Sequence, residues 1–167
     1  SDLMQSLLPI AEKIGALLKV RRETIAVAES TTGGLVSAAL LTIGGASVYY
    51  LGGADVYTLK ARRVLLDIPD SAFAGIKPLT EAGALIIARG MRARFDSTWS
   101  TGELGAAGPT GSRYGEPAGT SVIAVAGPVE RSLTVRTGSD DRHANMRAFA
   151  LATLNLLEEC IASAPRS

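Results

Sequence analysis

Thr24-Ile25-Ala26-Val27-Ala28-Glu29-Ser30-Thr31-Thr32-Gly33-Gly34-Leu35-Val36-Ser37-Ala38-Ala39-Leu40-Leu41 is the stretch on which the reading of this chain turns. Its first five residues are small or branched, the composition of a strand buried on both faces. Leu35 to Leu41 fit a helix, and Gly44-Gly45 ends it. Between them lie polar residues and two glycines. A buried strand that passes through such a turn into a helix is the unit of an open α/β sheet. Such sheets place their ligands beyond the carboxyl ends of the strands, which puts Ser30 at a binding position.

Working outward, Met4, Leu7, Ala11, Ile14 and Leu18 recur at alternating steps of three and four, an apolar helical stripe, while Glu12, Lys13 and Lys19 fall off it. Val48 to Tyr57 forms a second strand region, with Gly52-Gly53 marking a bulge or a close backbone approach. A short helix runs from about Leu59 to Leu66, and Pro69 and Pro78 bracket a loop. Thr80 suits an N-cap, with Glu81 in the first turn of a helix through Phe95. Strands follow around Thr98 to Leu104, Thr120 to Ala126 and Ser132 to Thr137. Asp140 or Asp141 caps a last helix with a stripe of Met146, Phe149, Ala150, Thr153, Leu157 and Ile161. The expected fold is α/β: a three-layer α/β/α sandwich on a mixed, mainly parallel sheet, with the last two strands antiparallel. One domain spans residues 1–167, and the chain begins too close to the helix at Met4 to hold another before it.

Hydrophobic residues make up 47% of the chain but aromatic ones only 5%, so the core must be built from Ala, Val, Ile and Leu. With 17 basic and 16 acidic side chains the net charge is +1, which gives no general attraction to nucleic acid or an anionic membrane. Cys160 is the single cysteine, so no internal disulfide forms; it lies in an apolar helical pattern and reads as a buried, inert thiol. No apolar run of about 18 residues is present, the start lacks a basic signal region, and a cytoplasmic location is the expectation. His143, the sole histidine, sits in a polar helix start and is expected in solvent.

Three segments are hard to explain by packing alone. Glu29 to Gly34 joins strand to helix, where free amides bind anions and glycines admit a ligand; a hydroxyl-rich N-cap is the alternative. It is not a Walker loop, and it contains neither Gly-x-Ser-x-Gly nor Ser-x-x-Lys. Tyr57-Thr58-Leu59-Lys60-Ala61-Arg62-Arg63 gathers a phenol and three cations, against the alternative of a solvated basic helix face. Gly105 to Gly119 holds five glycines and two prolines. Its Gly108-Pro109 and Thr110-Gly111 pairs form a rigid loop with exposed backbone donors, or else a plain connector.

In this order the segments resemble the C-terminal domain of the competence/damage-inducible protein CinA, a family of nicotinamide mononucleotide amidases. Glu29-Ser30-Thr31-Thr32-Gly33-Gly34 is similar to the family's Glu-Ser-Cys-Thr-Gly-Gly. Gly44-Gly45-Ala46-Ser47, with Gly52-Gly53 and Tyr57 after it, resembles its Pro-Gly-Ala-Ser region. Gly105-Ala106-Ala107-Gly108-Pro109-Thr110-Gly111 resembles Gly-Ile-Ala-Gly-Pro-x-Gly, and Glu116-Pro117-Ala118-Gly119-Thr120-Ser121 resembles Lys-Pro-Val-Gly-Thr-Val. The matches extend over most of the chain.

The resemblance implies an amidase that converts nicotinamide mononucleotide to nicotinate mononucleotide and ammonia, with Ser30 as nucleophile and without a metal or other cofactor. Tyr57 and Arg62 complete the expected catalytic set. Glu29, Thr31, Thr32, Gly33, Gly34, Lys60, Gly105, Gly108 and Arg113 are expected to bind substrate, with amides near Gly33 and Gly34 or in the Gly105–Gly111 loop serving the oxyanion. The expected partners are a small-molecule nucleotide and further copies of the chain, with neither nucleic acid nor membrane. Three positions depart from the pattern: Arg62 replaces a lysine, Leu104 a hydroxyl residue with Glu103 beside it, and Thr31 a cysteine. Arginine stays protonated where lysine can be driven neutral. The alternative is therefore a catalytically impaired relative that binds a phosphorylated nucleotide or acts as an interaction subunit.

Overall fold

The computed structural model describes residues 2–166. Helices α1 (Asp2–Gln5) and α2 (Leu8–Arg21) lead into strand β1 (Ile25–Glu29) and helix α3 (Leu35–Leu41). Strand β2 (Tyr50–Asp55), helix α4 (Leu59–Leu66) and helix α5 (Glu81–Phe95) follow, then strands β3 (Trp99–Ala106), β4 (Thr120–Ala126) and β5 (Arg131–Arg136), and helix α6 (Arg142–Ser163). Short 3-10 turns occupy Ala46–Val48 and Asp70–Phe73.

The sheet runs β2-β1-β3-β4-β5. Strand β1 pairs in parallel with both β2 and β3, whereas β3–β4 and β4–β5 are antiparallel. Alternate residues of the central strands feed two cores, because successive side chains leave a strand on opposite faces. On one face Ile25, Val27, Trp99, Ile123 and Val125 pack with α2, α3 and α6 through Ile14, Leu40 and Leu157. On the other, Ala26, Ala28, Val122 and Ala124 meet α5 through Ala84, Ile87, Ala88 and Met91. This is the three-layer sandwich expected, and small residues set how close its layers come. A Cβ added to Gly102 of β3 would lie 2.6 Å from the Ala84 carbonyl oxygen and 2.8 Å from the Ala88 nitrogen, so α5 rests directly on the strand backbone.

The N-terminal stripe is split rather than continuous. Pro9 lacks the amide that would continue the ladder, and its ring conflicts with the carbonyl four residues back, so α2 restarts with proline in its first turn. The Gly52-Gly53 region carries both features expected of it. The register slips between Ile25 and Ala26, leaving Leu51 bulged. A Cβ on Gly52 would meet the Phe95 ring at 2.7 Å. The caps at Thr80 and Asp141 form as expected, accepting the amides of Gly83 and Ala144. At the amino ends of β1 and β3, the buried Glu23 carboxylate accepts from Trp99 Nε1 at 3.0 Å and pairs with Arg21 at 2.9 Å. Among the described residues no helix is long and apolar enough to cross a membrane.

Candidate functional site

The carboxyl ends of β1 and β2, the first turn of α4, the segment 107–119 and the start of α6 meet at one end of the sheet. Val56 donates its amide to the Glu29 carbonyl at 2.7 Å, which sets the Ser30 turn beside Tyr57. Arg62 Nε donates to the Val56 carbonyl at 3.3 Å. Ser30 is thus brought onto a segment adjoining the one that carries Tyr57 and Arg62.

Ser30 is 7% exposed, and its hydroxyl has no hydrogen-bond partner among the described residues. The turn that carries it is held from two sides by carboxylates. Glu29 turns away from the mouth and accepts the amides of Val36 and Ser37 at 2.9 and 3.0 Å, capping α3 internally. At Val36 and Ser37 the anion-binding capacity expected of this helix start is taken by the protein's own carboxylate. Beneath the turn, Glu103 Oε1 accepts the amides of Ser30 and Thr32 and the Thr32 hydroxyl, each at 3.0 Å. The Thr31 hydroxyl donates to Oε2, and Ser121 Oγ lies 3.3 Å from it.

Of the amides from Ser30 to Ser37, those of Thr31 and Gly34 have no partner among the described residues. Gly34 has φ +97°, and an added Cβ there would meet nothing within 4 Å, so this part of the turn opens to its surroundings. Gly33 instead approaches the Met146 methyl group of α6. Gly105 faces inward: a Cβ on it would strike the Thr31 hydroxyl, Glu103 and Phe149. Glu29, Thr31, Thr32 and Gly105 thus lie behind the mouth, where they shape the turn.

Arg142, in the first turn of α6, closes the ring of segments. Its Nη1 donates to the Gly108 carbonyl at 2.5 Å and its Nη2 lies 3.4 Å from the exposed Tyr57 phenol oxygen. Arg113 stacks over the Tyr114 ring at 5.8 Å. Burial pulls the Arg62 guanidinium below its ordinary value, and the Tyr114 phenol works in the opposite direction. Lys60 is exposed on α4, and His143 is exposed beside Arg142, as expected of it. The Cys160 thiol is buried and pushed up to about 11 by that burial.

Two concavities lie elsewhere. One, of about 300 Å³, is lined by Arg89, Arg92, Asp96, Ser97 and Glu130, at the end of β3 opposite Ala106. The other, of about 460 Å³, lies between α4 and α5 along Leu66, Ile68, Ile86 and Gly90. Their arginines are engaged: Arg89 with Glu130, Arg92 with the Ser97 and Thr98 carbonyls, Arg94 with Asp67. Neither concavity is lined by Ser30, Tyr57 or Arg62.

The model of the CinA C-terminal domain matches residues 7–161. The chain belongs to the CinA C-terminal domain family. A CinA-like protein from Salinibacter ruber is 36% identical over 141 residues, covering 84% of this chain and 34% of that protein. One from Anaeromyxobacter dehalogenans is 34% identical over 148 residues, covering 89% and 36%. This CinA-family chain therefore spans about a third of the length of those relatives. The crystal structure of competence/damage inducible protein CihA from Agrobacterium tumefaciens superposes with TM-score 0.83 at 26% identity, covering 92% of this chain and 94% of that one. Competence damage-inducible protein A (ComA) from Klebsiella pneumoniae gives 0.87 at 23%, covering 94% and 98%, a likeness of fold.

Within this CinA-family domain, the sequence marked Glu103 only as the neighbour of Leu104 and gave Arg142 no role. The period-two alignment of Glu103 with Trp99 and Thr101 was the available clue to its face. Arg142 follows the Asp140-Asp141 cap, and a cation at a helix start opposes the helix dipole, a small cost that signals another use.

Proposed function

We propose that this CinA-family domain hydrolyses the carboxamide of nicotinamide mononucleotide, with Ser30 as the nucleophile. The observation that carries the reading is the Ser30 hydroxyl, without a hydrogen-bond partner among the described residues, at the carboxyl end of a parallel strand and followed at once by the Thr31 amide, likewise without one. A carbonyl carbon bonded to Ser30 Oγ leaves its oxygen near the next residue's N–H, and Gly34 supplies a second donor. In the first step the Oγ–C bond forms, the C–N bond breaks, and the serine proton leaves with ammonia. In the second, water cleaves the ester and restores the hydroxyl, releasing nicotinate mononucleotide.

Tyr57 and Arg62 border the reacting centre, Tyr57 through its hydroxyl and Arg62 as a fixed positive charge. The nucleotide phosphate is assigned to the cations of the mouth, Arg142, Arg113 and Lys60, since planar guanidinium groups match phosphate oxygens two at a time. Gly33 and Gly34 allow close approach, with Gly108 carrying the loop carbonyl that orients Arg142. Glu29, Thr31, Thr32 and Gly105 hold the turn from behind. No metal or other cofactor enters these steps, and the domain acts as a homo-oligomer in the cytoplasm.

One observation favours a second reading, a nucleotide-binding relative without turnover. Arg62 cannot act as a base, although burial lowers its pKa, because a guanidinium remains charged at neutral pH. The two readings part in one experiment: purified protein is given nicotinamide mononucleotide, and ammonia and the acid product are followed with time. Saturable release supports the amidase. Saturable binding without release supports the second reading, and neither binding nor release overturns both. Arg62→Lys is expected to raise turnover if position 62 limits proton transfer.

A further inference from the structure

Glu103 is the most deeply placed carboxyl group near the mouth, fully buried and held by neutral groups. Its neighbours are the Ser30 and Thr32 amides, the hydroxyls of Thr31, Thr32 and Ser121, and Gly105 with the Phe149 ring close by. Glu29 is its ionisable neighbour, one register step beyond the Ala28–Gly102 pair on the adjoining strand. The Glu29 carboxylate is committed to two amides of α3.

The proton count at Ser121 distinguishes the two oxygens of Glu103. A serine hydroxyl has one hydrogen to give. Ser121 Oγ has two oxygens in reach, the Leu104 carbonyl at 3.0 Å and Glu103 Oε2 at 3.3 Å. The nearer partner, the carbonyl, can only accept, so it takes the Ser121 hydrogen. The contact with Oε2 is then satisfied by a proton on Oε2. Oε2 otherwise meets the Thr31 hydroxyl, whose oxygen can accept as well as donate, whereas Oε1 faces three donors, two of them backbone amides that can only donate.

We propose that Glu103 is a positioning residue, held as the neutral acid with Oε1 accepting and Oε2 donating, that fixes the Ser30 turn from beneath. Burial pushes its carboxyl above the usual carboxylate range, against the hydrogen bonds from Thr31, Thr32 and Ser30. Neutrality explains how a carboxyl group with no cation paired to it among the described residues stands in the core, since an isolated buried charge is far costlier than a hydrogen-bonded acid. The effect on catalysis rests on Ser30 being the nucleophile; the protonation state and the hold on the turn do not.

Glu103→Gln mimics the neutral acid, because its amide places an acceptor at Oε1 and a donor at Oε2, whereas Glu103→Ala removes both. Amide hydrogen exchange by NMR reads the hold directly. In Glu103→Ala the Ser30 and Thr32 amides are expected to exchange about tenfold faster, while Glu103→Gln keeps the wild-type rate. Val36 and Ser37, held by Glu29, serve as the internal control.

Thermal stability against pH supplies the second readout, and it holds even if Glu103→Ala does not fold. A carboxyl group raised on folding contributes stability that is complete below about pH 4.3 and lost as pH rises toward the folded value. Wild type is therefore expected to lose stability relative to Glu103→Gln as pH rises from 5. A constant difference from pH 5 to 8, with Glu103→Gln exchanging as fast as Glu103→Ala, would overturn the proposal. In the ammonia assay, Glu103→Ala is expected to lower kcat by about tenfold or more with KM little changed, and Glu103→Gln to restore it. If wild type releases no ammonia the amidase reading fails, while the exchange and pH results still decide the role of Glu103.

Discussion

The Arg142 guanidinium reaches the Tyr57 phenol oxygen, 3.4 Å away, across 85 positions of sequence. With its second nitrogen on the Gly108 carbonyl, it ties the end of β2 and the segment 107–119 to the start of α6. Arg142→Ala is expected to weaken nucleotide binding about tenfold, as loss of a charge-assisted contact does. Because the group is exposed, stability should change by no more than about 1 kcal/mol. Calorimetric titration with nicotinamide mononucleotide, alongside a thermal melt, checks both.

Glu29 has a different task from a ligand contact, and its variants should show it. Glu29→Ala removes a buried carboxylate from two amides and is expected to cost about 2–3 kcal/mol in urea unfolding. Glu29→Gln keeps one acceptor and should recover part of that loss. Affinity measured on the folded fraction should change little in Glu29→Gln, since the carboxylate points to α3.

Two glycines, one within α5 and one packed against it, should respond unequally to alanine. At Gly102 the new methyl group meets the backbone of Ala84 and Ala88, which cannot move without shifting the helix. A loss of about 2–3 kcal/mol is expected there. At Gly90, within α5, the added carbon meets the end of the Ile68 side chain, which can rotate away, and alanine favours the helix by about 1 kcal/mol. Gly90→Ala should therefore be near neutral in chemical denaturation.

Cys160 should react with a thiol reagent only as fast as the protein opens, because its thiol is buried and stays protonated up to about 11. The sign of its pH linkage follows. The unfolded thiol ionises near 8.5 and the folded one about 11, so its contribution is complete below the first value. It is lost as pH rises through that window. Comparing wild type with Cys160→Ala in melts from pH 8 to 10.5 isolates the effect.

The fold was legible because its signals are local. Thr80 and Asp141 cap helices through their own side chains, and Leu35 to Leu41 is bounded by glycines on both sides. Pro9 was visible as well, yet the continuous stripe around it hid the break it causes. The site was less legible because its decisive contacts are long-range. Glu29 reads equally well as a ligand contact or as a cap, and only the fold shows that Val36 and Ser37 take it. Glu103 meets Ser30 across 73 positions, and Arg142 meets Gly108 across 34. No spacing rule links such pairs, since they depend on which strands lie side by side.

Ammonia release from nicotinamide mononucleotide by wild type and by Ser30→Ala, at equal concentration of folded protein, tests the central claim most directly. Wild type should release ammonia with saturation, and the alanine variant should fall by about a thousandfold or more, because it lacks the hydroxyl that forms the ester. Equal release by the two proteins would contradict the account and remove Ser30 from the chemistry.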